Sequence, residues 1–384
     1  MGKGEREMFA SVAFSRGCGL RLVGLLVSVV CLTSSGAALG ASSYSSQALW
    51  FEHADQFLQT AGWNNLDAFM WFNKDKTAIE GYDWRVNRAG SAAAYNQGIG
   101  NLAPGVFLDG FPHDTGAIDT FETAVGQQQT RIGWFESLMC PFPTADVQAV
   151  HARGSIAYIV LEPFDFTLGD DAYHGASRLG AIANGEYDSF PASTTLGLQR
   201  WAEAAAALKN SGQRIEISFA HEMNGQWFTW GLQHETNGNT AESYIAAFRH
   251  VVDVFRAAGA DNVDFVWTIN ASWQDDFSAA FPGVDYVDRM GMNGYNRGDF
   301  APGTHQTWEA DFYRDWREFE EIFGSWDPLN PAGVHNYNKL VEIATLGGNP
   351  DMPIIIGEFA STPEPTTVAM LALGTVALIR RRRS

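Results

Sequence analysis

Cysteine, positive charge and phosphate-binding loops are all scarce in this sequence, and each scarcity removes a class of function. Only three cysteines stand in 384 residues. Two of them, Cys18 and Cys31, fall in a stretch that reads as an export leader. Cys140 then stands alone, so an exported product has no internal disulfide and must rely on its core. Cys140 itself reads better as a buried small hydrophobe than as a reactive thiol. Lysine and arginine number 25 against 44 acidic residues, a net charge of −19 at pH 7. Both ends of the chain are net basic, so the middle is more acidic than the whole. Phosphate backbones need a basic face, which excludes nucleic acid and argues against an anionic membrane surface. A neutral polymer such as a polysaccharide is not repelled. No glycine-rich phosphate loop follows any expected strand. His221-Glu222 opens like a zinc helix, but the partner position is Gly225 rather than histidine, so that motif fails and no metal or cofactor is expected.

Apolar residues make up 46% of the chain, and 13 of its residues are tryptophan. That much tryptophan exceeds the ordinary need of a core, and aromatic-rich clefts are one outlet for it. Residues 1–41 read as a signal peptide: Arg16 and Arg21, the apolar run Leu22–Leu32, then small residues to Ala41. The run is shorter than the roughly 20 residues of a membrane span.

Past the leader, Ser46–Ala61 has apolar residues at 49, 50, 54, 57, 58 and 61, one face of a helix. Eight strands are then expected: Leu66–Phe72, Gly105–Leu108, Arg131–Phe135, Ser155–Leu161, Arg214–Ala220, Val263–Ile269, Val284–Met292 and Pro353–Gly357. Helical stretches lie between most of them, at Ser91–Asn96, around Phe121–Val125, and at Ala145–Ala152, Leu196–Asn210, Ala241–Ala258, Trp308–Phe323 and Tyr337–Ala344. Strands alternating with helices imply parallel pairing, and eight is the number that closes a (β/α)8 TIM barrel. A doubly wound open sheet is the alternative.

A barrel demands chemistry just after its strand ends. Glu162, Glu222, Asn270, Trp273, Asn293, Tyr295 and Glu358 all fall there. Two carboxylates on such strands are the minimum for glycoside hydrolysis, one protonated to assist the leaving oxygen and one ionised to attack the anomeric carbon. Glu222 and Glu358 are the candidates. A lone glutamate at a strand end is usually a solvated or ion-paired residue; two, each closing an apolar strand, shift the balance. His221 is a candidate to position a carboxylate or a sugar hydroxyl, with a satisfied core histidine as the alternative.

The segment HEMNGQWFTW, preceded by a strand and followed by the helix SYIAAFRHVVDVFRAAG, resembles glycoside hydrolase family 26. AYIVLEPFDF, GMNGYN at Tyr295 and IIIGEF at Glu358 resemble its other motifs. The resemblance implies a retaining (β/α)8 enzyme, with Glu222 as acid/base, Glu358 as nucleophile, and His221, Trp227 and Tyr295 around the cleaved sugar. Trp71, Trp230 and Trp273 are further sugar-stacking candidates, the last two being also candidates for simple packing. The family's substrates imply β-1,4-mannan first, with mixed-linkage β-glucan and β-1,3-xylan as alternatives. A non-catalytic carbohydrate-binding protein is the reading from another class.

One departure is large. In the family a helix, an eighth strand and a last helix follow the nucleophile's strand, whereas Pro363 closely follows Glu358 here. The front segment, with Trp71 and the DWR at Asp83–Arg85, resembles that missing part. This implies a circular permutation, with residues 42–104 carrying the closing helix–strand–helix of a domain spanning 42–362. A truncated enzyme is the competing explanation. The permutation requires Leu66–Phe72 to pair with Gly105–Leu108 on one side and Pro353–Gly357 on the other. Residues 363–384, Pro363-Glu364-Pro365 followed by Val368–Ile379 and four arginines, resemble a PEP-CTERM sorting signal. That implies handling by an exosortase and delivery to the surface or exterior of a Gram-negative cell, with membrane contact only through the tail. An ordinary C-terminal membrane anchor is the alternative.

Overall fold

The computed structural model describes residues 46–76, 82–86, 89–112, 114–190, 193–271, 277–296, 318–324 and 336–361. The leader, the sorting tail, Trp273 and the front of the helix expected at Trp308–Phe323 lie outside the described residues.

Ten strands are present among the described residues: β1 (Leu66–Asn73), β2 (Asp75–Lys76), β3 (Tyr82–Asp83), β4 (Ala103–Leu108), β5 (Arg131–Ser137), β6 (Ile156–Glu162), β7 (Ile215–Phe219), β8 (Val263–Asn270), β9 (Arg289–Asn296) and β10 (Ile354–Ser361). Eight of them close a barrel in the order β1-β10-β9-β8-β7-β6-β5-β4, while β2 and β3 form a small antiparallel ribbon. The expected TIM barrel is therefore present, and the open sheet is excluded. Strands buried on both faces read as continuous apolar runs, as in parallel sheets generally: all eight residues of β8 and of β10 are buried.

The described chain divides into two compact units, each discontinuous in sequence. The first holds Trp134–Trp267 and Ala279–Asp288. Here β7 pairs in parallel with β6 and β8, Ile217 standing opposite Ile159 and Phe265. Helix α7 (Ala241–Ala257) buries Tyr244, Ala247, Phe248, Val251, Val252 and Phe255, the apolar stripe of a 3.6-residue period. Thr240 caps it, accepting from the Ser243 amide at 3.2 Å, while Ser243 Oγ accepts from the Thr240 amide. Cys140 is buried, as expected of a small hydrophobe. The other two cysteines lie outside the described residues.

The second unit holds Ser45–Gly133, Thr268–Ser278 and the described part of the chain from Arg289. In it β1 pairs in parallel with β10 (Phe69 opposite Ile356) and with β4 (Trp71 opposite Val106). This is the pairing that the permutation requires, and it is also that of any closed barrel whose first and last strands meet. Helix α1 (Ser46–Ala61) lays Trp50 and Phe51 over this sheet, 5.6 Å from Phe359 and 4.8 Å from Trp71. Leu49, counted on its apolar face, is instead 43% exposed. At the start of the strands, Asp67 accepts from Arg131 at 3.0 Å and Arg289 at 2.8 Å, tying together three strands that do not pair with one another.

Several boundaries differ from expectation, those of β9 and β10 the most. β9 starts at Arg289 instead of Val284, because residues 284–286 turn: the Tyr286 amide donates to Gly283, and Arg249 and Arg256 both sit over the Tyr286 ring. β10 runs on past Gly357 to Ser361, carrying Glu358 inside the strand.

Candidate active site

The acidic half of the site grows out of the end of β7. Ala220 and Glu222 both adopt the left-handed region, at φ +49° and +52°. For residues with a Cβ this costs on the order of 1 kcal/mol each, a strain that concentrates at functional turns. The Glu222 carbonyl accepts from the Gly225 amide at 3.0 Å, closing the turn. Gly225 is required there, since a Cβ would lie 2.5 Å from the Trp227 ring. Trp227 is half-buried, and its indole N–H donates to Glu222 Oε2 at 3.0 Å. Glu222 is itself only 6% exposed.

Trp230 donates to the His221 carbonyl at 2.7 Å and stacks flat on Phe228, with ring centroids 4.5 Å apart. It is fully buried, so it packs the turn from behind and offers no face to a sugar. His221 is also enclosed. Burial pushes its imidazole down to about 3, and Nδ1 has no hydrogen-bond partner. Burial thus favours the neutral ring, which is wedged 4.6 Å from Phe228 and 5.9 Å from Phe135.

Glu358 has its own seat in the second unit. The register slips by one residue at Gly357: Ile356 faces Met292, but Glu358 faces the very next residue, Asn293. Such a bulge re-aims the following side chain. Glu358 Oε1 accepts from Asn293 Nδ2 at 3.1 Å and Oε2 accepts from the Tyr295 hydroxyl at 2.7 Å. Two donors suit the acceptor-only chemistry of an ionised carboxylate. The Tyr295 ring is held by Phe72, edge-on at 5.7 Å, and by Trp84 at 5.2 Å.

Trp71 does not belong to this seat. It is fully buried between Phe51, Trp50 and Phe359, its indole N–H donating to the Trp84 carbonyl at 3.0 Å. The reason is strand parity. Side chains alternate, so Trp71 points at the helix layer while Phe72, one residue on, reaches Tyr295. Trp84, named in the sequence only as part of the DWR segment, is the tryptophan that lies beside Tyr295. Its signal was a tryptophan between charged residues in a loop, where core packing alone does not call for one. Asn293 carried a clearer signal, two positions before Tyr295 on one strand face. Among the described residues no cluster of His, Cys, Asp and Glu could hold a metal ion.

Residues 188–314 match the sequence profile of Glycosyl hydrolase family 26, and residues 361–383 match the PEP-CTERM protein-sorting motif. Endoglucanase H of Acetivibrio thermocellus is 31% identical over 278 residues, 71% of this chain and 25% of that protein. A mannan endo-1,4-beta-mannosidase of Bacillus subtilis is 30% identical over 148 residues, 35% of this chain and 40% of that one. The chain thus spans a quarter to two fifths of the length of these two relatives. A solved GH26 beta-mannanase from Bacteroides ovatus aligns at 15% identity, over 82% of this chain and 76% of that one, with a TM-score of 0.44. The matched segment contains Glu222, Trp227 and Tyr295, and the strand order is that of a closed parallel barrel. Residues 188–314 are thus similar to glycosyl hydrolase family 26, and residues 361–383 to the PEP-CTERM protein-sorting motif.

Proposed function

We propose that this protein is a retaining endo-β-glycanase with β-1,4-mannan as its leading substrate. The observation that carries the reading is the pair of separately built carboxylates. Glu222 stands on a strained turn beside an accessible tryptophan, and Glu358 sits behind a bulge with two donors on it. In a ring of parallel strands the carboxyl ends share one face, where chemistry is assembled. A Glu358 oxygen attacks the anomeric carbon as the glycosidic C–O bond breaks, and the Glu222 proton passes to the leaving oxygen. Water then gives a proton to Glu222 and its oxygen to the anomeric carbon, which frees Glu358.

Of the aromatic candidates, Trp227 keeps the role of a sugar platform, and Tyr295 and Asn293 orient the nucleophile. His221 enters as a neutral, fixed ring beside the acid. Trp71 and Trp230 are packing. The family assignment and the sorting motif support export and exosortase handling, and residues 1–41 fit a leader. Among the described residues no helix is long and apolar enough to cross a membrane. The front segment 42–104 reads as the family's closing helix–strand–helix placed first, a reading that rests on the resemblance of that segment and is compatible with the position of β1 between β10 and β4.

Glu358→Ala and Glu222→Gln are each expected to remove most reducing-sugar release from polysaccharide. Near-normal release by either variant overturns the assignment. Retention requires the carboxyl groups to lie about 5–5.5 Å apart; a crystal structure placing them about 9 Å apart would indicate inversion. The likeness to Endoglucanase H supports a β-glucan as a second substrate reading. A panel of galactomannan, glucomannan, barley β-glucan and β-1,3-xylan separates the two, and absence of cleavage on all four would favour a binding protein.

A further inference from the structure

The loop that follows β6 contributes an aromatic ring beside the acid that the glycosidase reading does not yet use. Tyr173 lies on it, half-buried, with its ring centroid 5.3 Å from that of Phe228 and tilted 30° to it. Phe228 in turn lies 4.6 Å from His221 and 6.2 Å from Trp227, the donor to Glu222. Three aromatic rings thus run outward from the acid, Trp227 to Phe228 to Tyr173, and the two ends of the row are the partly exposed ones.

The row is fixed in place before any ligand arrives. Asp171 Oδ1 accepts from the amides of Tyr173 and His174, each at 2.7 Å, which holds the turn. The Thr229 amide donates to the Ala172 carbonyl at 2.9 Å, tying that turn to the segment carrying Trp227 and Phe228. Asn237 Nδ2 bridges both strands of this contact, donating to the carbonyls of Gly175 at 3.3 Å and Thr229 at 2.9 Å. Asn239 Nδ2 adds donations to Thr229 and Gly231, both at 2.9 Å. A tyrosine held this way presents a flat apolar face without losing side-chain freedom on binding.

The chemistry of the acid says which part of a substrate this face meets. Glu222 protonates the leaving oxygen, so the sugar leaving with that oxygen lies against the acid's own surroundings. We infer that Tyr173 is the outer ring of an aromatic platform that binds the leaving-group side of the polysaccharide, beyond the sugar next to Glu222. This rests on the glycosidase reading and sharpens it: the enzyme recognises a run of sugars on the departing side and favours internal bonds of a polymer.

The test compares a polymer with a substrate that has no sugar on the departing side. Tyr173→Ala and Tyr173→Leu, the latter keeping apolar bulk against Phe228, are measured on galactomannan and on an aryl β-mannobioside. Barley β-glucan and an aryl β-cellobioside replace them if glucan proves to be the substrate. Both variants should lower kcat/KM for the polymer about tenfold more than for the aryl glycoside, while Tyr173→Phe should restore the ratio to within about twofold. In parallel, Tyr173→Leu in the Glu358→Ala chain should weaken retardation by the same polysaccharide in a native affinity gel. Equal losses on both substrates, or retardation that Tyr173→Leu leaves unchanged, overturns the inference alone. A Glu358→Ala chain that binds none of the polysaccharides overturns the glycosidase reading, and this inference with it.

Discussion

Glu358 and Tyr295 meet through one short hydrogen bond, and its removal has a defined signature. Tyr295→Phe keeps the ring between Phe72 and Trp84 but takes away the donor at 2.7 Å. A hydrogen bond to a charged group is worth about 1.5–3 kcal/mol, so kcat should fall roughly 10- to 100-fold. Melting temperature should change little, and an unchanged kcat would mean that Tyr295 does not support Glu358 in the reaction. Glu136 offers a different test. Burial lifts its carboxyl to about 8, opposed by the Trp134 indole N–H at 3.1 Å and assisted by Asp146. Because the folded state holds this proton more tightly, the stabilisation is whole below the ordinary value near 4.5 and is lost as pH rises toward 8. Glu136→Gln has no proton to lose. Its stability relative to the parent should climb from pH 6 to pH 8 by at most about 1.4 kcal/mol per unit, read from urea midpoints. Parallel curves for the two proteins would contradict this. At this scale the sequence was informative where chemistry is local. Glu222, Glu358, Trp227 and Tyr295 were legible as polar or aromatic groups at strand ends. Trp71 misled because a tryptophan near a strand end looks the same whether parity sends it to the helices or inward.

Helix α1 shows how much an element at the front of the chain contributes. Trp50 and Phe51 sit over β1 and β10, in a cluster that also includes Phe319 at 5.8 Å from Trp50. Trp50→Ala should therefore cost about 3–5 kcal/mol of stability, the usual range for a fully buried large side chain, as a lowered urea midpoint. A cost below about 1 kcal/mol would mean the helix is an appendage. The bounds of this helix were readable from its periodicity to the residue, because Ser46–Ala61 is amphipathic and ends before Gly62. The start of β9 was not, since Val284-Asp285-Tyr286-Val287 alternates like a strand and only the arginines stacked on Tyr286 reveal a turn. The short helix α5 (Leu179–Ala183) was also missed, five residues being too few for a periodic signal. The two-residue ribbon β2–β3 was missed for a similar reason. Arg85 pairs with both Asp83 and Asp75 across it, contacts that two-residue strands leave no alternating pattern to announce.

For the whole molecule, the count of eight strands and their alternation with helices sufficed to give the barrel, but not where the chain cuts it. β1 closes the ring between β10 and β4, as the first strand of any closed barrel does, so the ring alone does not tell a permuted chain from an unpermuted one. If the order is a permutation of the family's, restoring the family's order should preserve function. A chain in which Ser361 is joined to Ser46 by a short glycine-rich bridge, and which is opened between Gln97 and Ala103, should fold and keep its activity within severalfold of the parent. Failure to fold would show that the front segment is an adaptation in its own right. One contact makes the bridge short: Gln47 Nε2 donates to the Ser361 carbonyl at 2.8 Å, across 314 positions of sequence. In topological terms the fold is then a circle with a nick. Gln47 and Ser361 are thus neighbours in space although they stand near opposite ends of the described chain.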